Sequence, residues 1–354
     1  MAKNRVAITK HADTSESVRN ALDLIRNPIK VALQEKFKNA SRGQVLIKPN
    51  LLSTDLNHIC NTTVEHCKAI ADFFYDLGDY TVVVGEGTTY ASDKNPSTIL
   101  ALERHGFKEH EDQWALIDLH EDQPGKWFDI INHEAPRGIE LGIAKTCIES
   151  FTVSAAKFKT HDVLGVTLGL KNMMGGLVSA RNKVSQEILA RGDVKGYMHG
   201  FSRKKPHFLS REINTGASKV ALAVNLVRMH ACHPPDLTVI DGSTIMEGAG
   251  PRRGTACQAL SGITIAGTDT IAVDAACARM IGMPLESFKY IQRAGELGLG
   301  DHEHEKTILV GESLDGMITR IKFHPQFKLA RKWTTDELKA LESFTRFPPE
   351  SHVL

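Results

Sequence analysis

Gly43-Gln44-Val45-Leu46-Ile47-Lys48-Pro49-Asn50 and Tyr80-Thr81-Val82-Val83-Val84-Gly85-Glu86-Gly87 decide the fold of this chain. Each is a short apolar run that ends in charged residues and glycine or proline. That is the pattern of a strand buried on both faces that runs out into a polar loop. Between them, residues 64–77 have the length and spacing of a helix, closed by Gly78. After the second run, Asn95-Pro96-Ser97 opens a further helix that continues through Leu102 and His105 to Gly106. Strand, loop and helix, repeated, specify an α/β fold with a mainly parallel sheet.

The same reading extends outward. Residues 5–8, 236–241, 263–267 and 307–311 read as strands, and 15–34, 217–229 and 269–281 as helices. Some helix is expected around residues 185–190, and Thr335-Asp336-Glu337 opens a C-terminal helix. Two lobes built on mainly parallel sheets are expected, at residues 1–150 and 151–330. The second carries a basic excursion at 181–216, with Arg203, Lys204, Lys205 and His207, that reads as a lid. Residues 331–354 form a helix and tail.

The totals bound the function. The chain has 354 residues, 43 basic and 42 acidic, and a net charge of +1. Such a balance argues against a nucleic-acid or membrane-surface partner but leaves room for a small anionic ligand. No apolar run approaches the roughly 18–20 residues that span a bilayer, and the N-terminus lacks the shape of a signal peptide, so a cytoplasmic protein is expected. A homo-oligomer is compatible with this composition. None of the six cysteines falls in a C-x-x-C pair, which argues against a ferredoxin-type cluster in this chain. Cys277 reads as a small core residue, while Cys60 and Cys67, beside His58 and His66, leave a metal alternative open.

Chemistry concentrates in residues 157–176. This stretch holds Lys157, Lys159, His161, Lys171, Asn172 and Gly175 among apolar residues. If it continues a strand, Lys157, Lys159 and His161 share one face. His161 beside lysines should stay neutral and able to act as a base. Lys171, partly desolvated near other cations, suits a nucleophile, a base or a covalent anchor. The bland alternative makes these lysines surface charges. In open parallel sheets ligands sit beyond the carboxyl ends of the strands. Lys48, Asn50, Glu86, Asp241 and Glu247 fall at such positions. Asp241 and Glu247 could hold a divalent metal, together with Asp269 and Asp274. Asp269 equally reads as a helix N-cap, and His199 and His207 as solvated surface residues. No dinucleotide or P-loop glycine fingerprint is present.

The set Val45 to Leu51, Lys157-x-Lys159-Thr160-His161, Gly169-x-Lys171-Asn172 with Gly175, Asp241-Gly242 with Glu247 to Pro251, and Gly267 to Asp274 resembles the domain-of-unknown-function family 362. Many members carry a ferredoxin-like cluster module, for which this chain has no cysteines. A second resemblance is to the nickel-pincer lactate racemases, through His161, Gly165, Thr167, Gly169, Lys171 and Gly176. It implies His161 as a catalytic base and Lys171 as the anchor of a covalently held cofactor. The racemases' nickel-ligand histidine falls near Glu187 and their second catalytic histidine near Thr88 or Thr89, so racemisation itself is not implied. The function expected is an enzyme acting on a small carboxylate- or phosphate-bearing molecule through Lys/His acid-base chemistry between the lobes. A non-catalytic carrier of an anionic cofactor or metal centre, and a scaffold or electron-transfer partner, are the alternatives.

Overall fold

The computed structural model describes residues 4–38, 42–54, 57–88, 98–132, 138–200 and 216–330. In chain order the N-terminal part contains β1 (Asn4–Lys10), α1 (Thr14–Leu24), α2 (Arg26–Phe37), β2 (Gly43–Pro49), α3 (Val64–Leu77), β3 (Tyr80–Glu86), α4 (Thr98–Arg104) and β4 (Ala115–Asp118). Next come β5 (Pro124–Asp129), β6 (Ile139–Ala144), α5 (Lys145–Glu149), β7 (Phe151–His161), β8 (Gly165–Thr167), α6 (Gly169–Asn172), β9 (Leu177–Asn182) and β10 (Ile188–Arg191). The chain continues with α7 (Gly216–Cys232), β11 (Leu237–Glu247), β12 (Thr255–Gly267), α8 (Thr270–Met280), α9 (Lys289–Glu296), β13 (Thr307–Gly311) and α10 (Pro325–Ala330).

The main sheet runs β13-β1-β12-β11-β7-β2-β3-β4, with β8 folded back on β7. β4, β3, β2, β7 and β11 are mutually parallel, and β12 is antiparallel to both β11 and β1. The parallel strands are continuous apolar runs because helices cover both faces. On one face Val45, Ile47, Val84 and Val153 pack with Val18, Leu22, Ile70 and Phe74 of α1 and α3. On the other, Leu46, Val83, Ala156 and Phe158 pack with residues of α7, α8 and α9 and with a small sheet ordered β10-β9-β6-β5. No helix among the described residues is long and apolar enough to cross a membrane.

Two secondary-structure expectations change, and the expected lobe boundary meets the main sheet. The boundary at residue 150 falls just before β7, and β7 pairs with β2 from Val45↔Phe151 to Pro49↔Ala155. Strands from before and after that boundary therefore share one sheet. Residues 185–190 are not helical. β9 and β10 form a hairpin, in which the Asn182 carboxamide accepts from the amides of Val184 and Ser185 and Gln186 takes a positive φ of 61°. A side chain that satisfies turn amides in this way competes with helix formation. The helix expected over 15–34 is two helices, α1 and α2, broken at Ile25 (φ −120°), three residues before Pro28. Of the basic excursion, Arg203, Lys204, Lys205 and His207 lie outside the described residues, as does the C-terminal helix expected at 335.

Candidate active site

β2, β3, β7 and β11 end on the same edge of the sheet, and their last residues supply most of the site. Lys48, the penultimate residue of β2, is fully buried. Its ammonium donates to Glu86 Oε1 and Oε2 at the end of β3, at 2.9 and 2.8 Å, and to Asn172 Oδ1 at 3.1 Å. Glu86 also accepts from the amides of Leu51 (3.2 Å) and Gly87 (2.8 Å). Burial lowers the affinity of Lys48 for its proton, and Glu86 works against that. Asn172 closes the arrangement. Its Nδ2 donates to the Lys48 carbonyl (2.9 Å) and to Ser154 Oγ (3.1 Å), and its Oδ1 also accepts from Asn50 Nδ2 (3.1 Å). Asn50 Oδ1 is buried with no hydrogen-bond partner among the described residues. A Cβ at position 175 would lie 1.8 Å from Glu86 Oε1 and 2.5 Å from Lys48 Nζ, so only glycine fits against this pair.

β7 is buried along its whole length. Val153 and Ala155 face the α1–α3 side, and Lys157, Lys159 and His161 continue that alternation. Lys157 Nζ lies 3.1 Å from Asp241 Oδ2 on the neighbouring β11. Asp241 also accepts from Thr63 N at the start of α3 (2.9 Å) and from Ser243 N (3.0 Å) and Oγ (2.6 Å). Burial opposes the charge on Asp241, but Lys157, His66 and these hydrogen bonds hold it below the usual carboxylate range. Lys48, Glu86, Lys157 and Asp241 are therefore internal ion pairs. Of the residues expected at an anion site, Lys48, Glu86 and Lys157 are thus paired with charged neighbours within the protein.

Lys159 and Lys171 differ. Lys159 is buried and donates to the Cys60 carbonyl at 2.6 Å, with Cys60 Sγ at 3.8 Å. No carboxylate lies within ion-pairing distance of it among the described residues. Burial lowers its pKa, and neighbouring Lys157 adds to the effect. Lys171, on the four-residue α6, is partly exposed and has neither a hydrogen bond nor an ion pair among the described residues. Burial first, then Lys159, brings its pKa down to about 7.

α6 is held in place from below. Asp274 in α8 accepts from Gly169 N (2.9 Å) and Leu170 N (3.0 Å). Burial raises this carboxyl to about 7 despite those amides. A carboxyl raised in the folded state stabilises fully below its unfolded pKa near 4, and that contribution is lost as pH rises through about 7. The stability of wild type relative to D274N should therefore fall between pH about 4 and about 8, by on the order of 4 kcal/mol. Urea unfolding of both proteins across that range checks it, and parallel curves would refute it.

His161 is 6 % exposed. Its Nδ1 accepts from Val163 N (3.1 Å) and Leu164 N (3.3 Å), with Asp162 Oδ1 at 3.0 Å. With both amides directed at Nδ1, and Val163 N shared with Asp162 Oδ1 at 2.9 Å, the neutral ring is assigned its proton on Nε2. Burial, then Lys171, His199 and Lys159, keep the ring's pKa well below the ordinary histidine value. In this tautomer His161 donates from Nε2.

Glu247 Oε2 accepts from Lys322 N at 3.0 Å, and Asp241 is already held by Lys157, Thr63 and Ser243. Asp269 caps α8, as its bland reading held. Cys60 and Cys67 are buried free thiols, and His66 Nε2 lies 3.4 Å from the Val239 carbonyl. Among the described residues no group of three or more His, Cys, Asp or Glu side chains is arranged to hold a metal ion.

Several contributors carried no sequence signal of their own. Lys195, in the 3-10 turn Lys195–His199, donates to the Gly87 carbonyl and acts on Lys48 and Lys171. His120 sits against Gly87, with its Nε2 buried and unpartnered among the described residues. His199, expected on the surface, is half-buried and acts on His161.

Residues 45–279 match the family described as "Domain of unknown function (DUF362)", and that span contains every residue of the Lys/His cluster. The chain belongs to the DUF362 family. No curated protein matches it significantly. Among solved structures it is similar to a Thermotoga maritima protein determined as a structural-genomics target, with 10% identity and a TM-score of 0.40. The alignment covers 82% of this chain and 59% of that one, so this DUF362 chain spans less than two thirds of that protein.

Proposed function

We propose that the chain is an enzyme acting on a small carboxylate- or phosphate-bearing molecule, which binds over Lys159 and Lys171 at the carboxyl edge of the sheet. One observation carries this reading. Lys48 and Lys157 have carboxylate partners at 2.8 and 3.1 Å, whereas Lys159 and Lys171 have none among the described residues. A buried ammonium without a counter-ion is costly, and a bound anion supplies one. Such chemistry needs a hydrogen-bond donor and a free lone pair facing one ligand. The His161 Nε2–H is the donor, and the neutral amine of Lys171 supplies the lone pair, as base or as nucleophile.

Isothermal titration with a panel of small carboxylates and phosphate esters tests binding. K159M should weaken the best ligand about tenfold or more, the loss of one charge-assisted hydrogen bond. Solvent deuterium entering that ligand in wild type, but not in K171A or H161F, marks proton transfer. Tight binding with an unchanged, unlabelled ligand would replace the enzyme with a carrier. No binding by any anion would remove the reading.

A further inference from the structure

We propose that the substrate carries a carbonyl group beside its anionic group, as in an oxo acid or a phosphorylated aldehyde or ketone, and that Lys171 joins it as an imine. This rests on the anion-binding reading above. Among the lysines of the cluster, Lys48 is tied to Glu86, Lys157 to Asp241, Lys159 to the Cys60 carbonyl and Lys195 to the Gly87 carbonyl. Lys171 alone among them has no hydrogen bond or ion pair among the described residues, and it reaches solvent. An amine that attacks carbon needs a free lone pair, access and a fixed position. α6 supplies the position, because Asp274 anchors its first two amides and Asn172 anchors its last residue to β2 and β7. Burial, then the neighbouring Lys159, favours the neutral amine before reaction, and Lys159 holds the carboxylate or phosphate that brings the carbonyl carbon to it.

The step balances without a redox partner. The neutral Nζ lone pair attacks the carbonyl carbon, the C–N bond forms and the carbonyl π pair moves to oxygen. The proton shed by the nitrogen passes to that oxygen through water, with the His161 Nε2–H hydrogen-bonded to the developing oxyanion. A second proton, from solvent, lets the hydroxyl leave as water while the nitrogen lone pair closes the C=N bond. The resulting cationic imine lies beside the substrate's own anion and withdraws electrons from the adjacent carbon, which is the purpose of such a bond in proton-transfer chemistry.

Full-length protein is incubated near neutral pH with pyruvate, glyoxylate or dihydroxyacetone phosphate and cyanoborohydride, then analysed by intact mass and peptide mapping. The expected result is one reduced adduct on the peptide carrying Lys171. Inorganic phosphate should slow its formation, and the neutral probe acetaldehyde should label Lys171 at least tenfold more slowly. Labelling should rise with pH through about 7, as the free amine forms. K171A should lose the adduct while keeping the wild-type circular dichroism spectrum. If the anions bind by calorimetry yet wild type gives no adduct, or only adducts scattered over surface lysines, the imine proposal is overturned and anion binding stands. If acetaldehyde labels Lys171 as fast as the anions do, the nucleophile stands and the anion site falls. Neither binding nor labelling removes both.

Discussion

K48M should destabilise the protein by on the order of 3–5 kcal/mol, and E86Q by a similar amount. The pair is buried to 0 % and 3 % side-chain exposure, with 2.8 Å between the charges. Its net contribution against an apolar pair is small, because both ions were taken out of water. Removing one partner is different, since the other is then left buried and unpaired. In K48M, Glu86 keeps the amides of Leu51 and Gly87 but loses its cation. In E86Q, Lys48 loses its counter-charge in a site where burial already weakens its hold on the proton. Asn172 couples either loss to α6, because its Oδ1 accepts from both Lys48 and Asn50. The double variant K48M/E86L should therefore cost clearly less than the sum of the singles. Urea unfolding of wild type, both singles and the double at neutral pH measures the cycle. Single effects near 1 kcal/mol, or simple additivity, would show that water reaches the pair.

The fold was legible in the sequence where hydrophobic period and punctuation agree. Residues 64–77, closed by Gly78, are α3 to the residue, and 307–311 are β13. Strand β11 was legible only in part. Its apolar run stops at Asp241, yet pairing with β12 carries it on to Glu247 through residues with no apolar alternation. The 185–190 error has the same origin, because a hairpin stem is fixed by its partner strand and not by its own pattern. Lys171, His161 and Asn172 could be picked out because polar residues in an apolar, glycine-rich stretch are costly without a partner. Which lysines are internal could not be seen. Lys48 and Glu86 are 38 residues apart, and Lys48 and Asn172 are 124 apart. Asp274 did give a signal, a carboxylate within an apolar helix, but a carboxylate that holds two amides looks the same in sequence as one awaiting a metal. The orientation of His161 rests on the backbone of residues 163 and 164, which no residue type announces.

The second large effect is expected at Asp241. It accepts from Lys157 and from two hydroxyls and two amides, so it joins β7, β11 and the start of α3. D241N removes the charge while keeping the shape. Lys157 is then fully buried without a counter-ion, and the expected cost is on the order of 3–5 kcal/mol at neutral pH. The pH dependence identifies the cause. Asp241 has a depressed folded pKa, so its contribution is present in full above the unfolded value near 4 and is lost as pH falls toward the folded one. The gap between wild type and D241N should hold constant from pH about 8 to about 5 and then narrow. A packing defect alone would leave it constant at every pH. K157M separates the two partners further, because it leaves Asp241 its four other donors but no cation. It should destabilise by less than D241N if the hydrogen bonds carry the carboxylate, and by as much if the lysine does. Since Asp241 pairs in register with Lys157, two residues before Lys159 on β7, the same variants should also weaken anion binding at Lys159 before they unfold the protein. Calorimetry below the unfolding temperature reads that loss separately from stability.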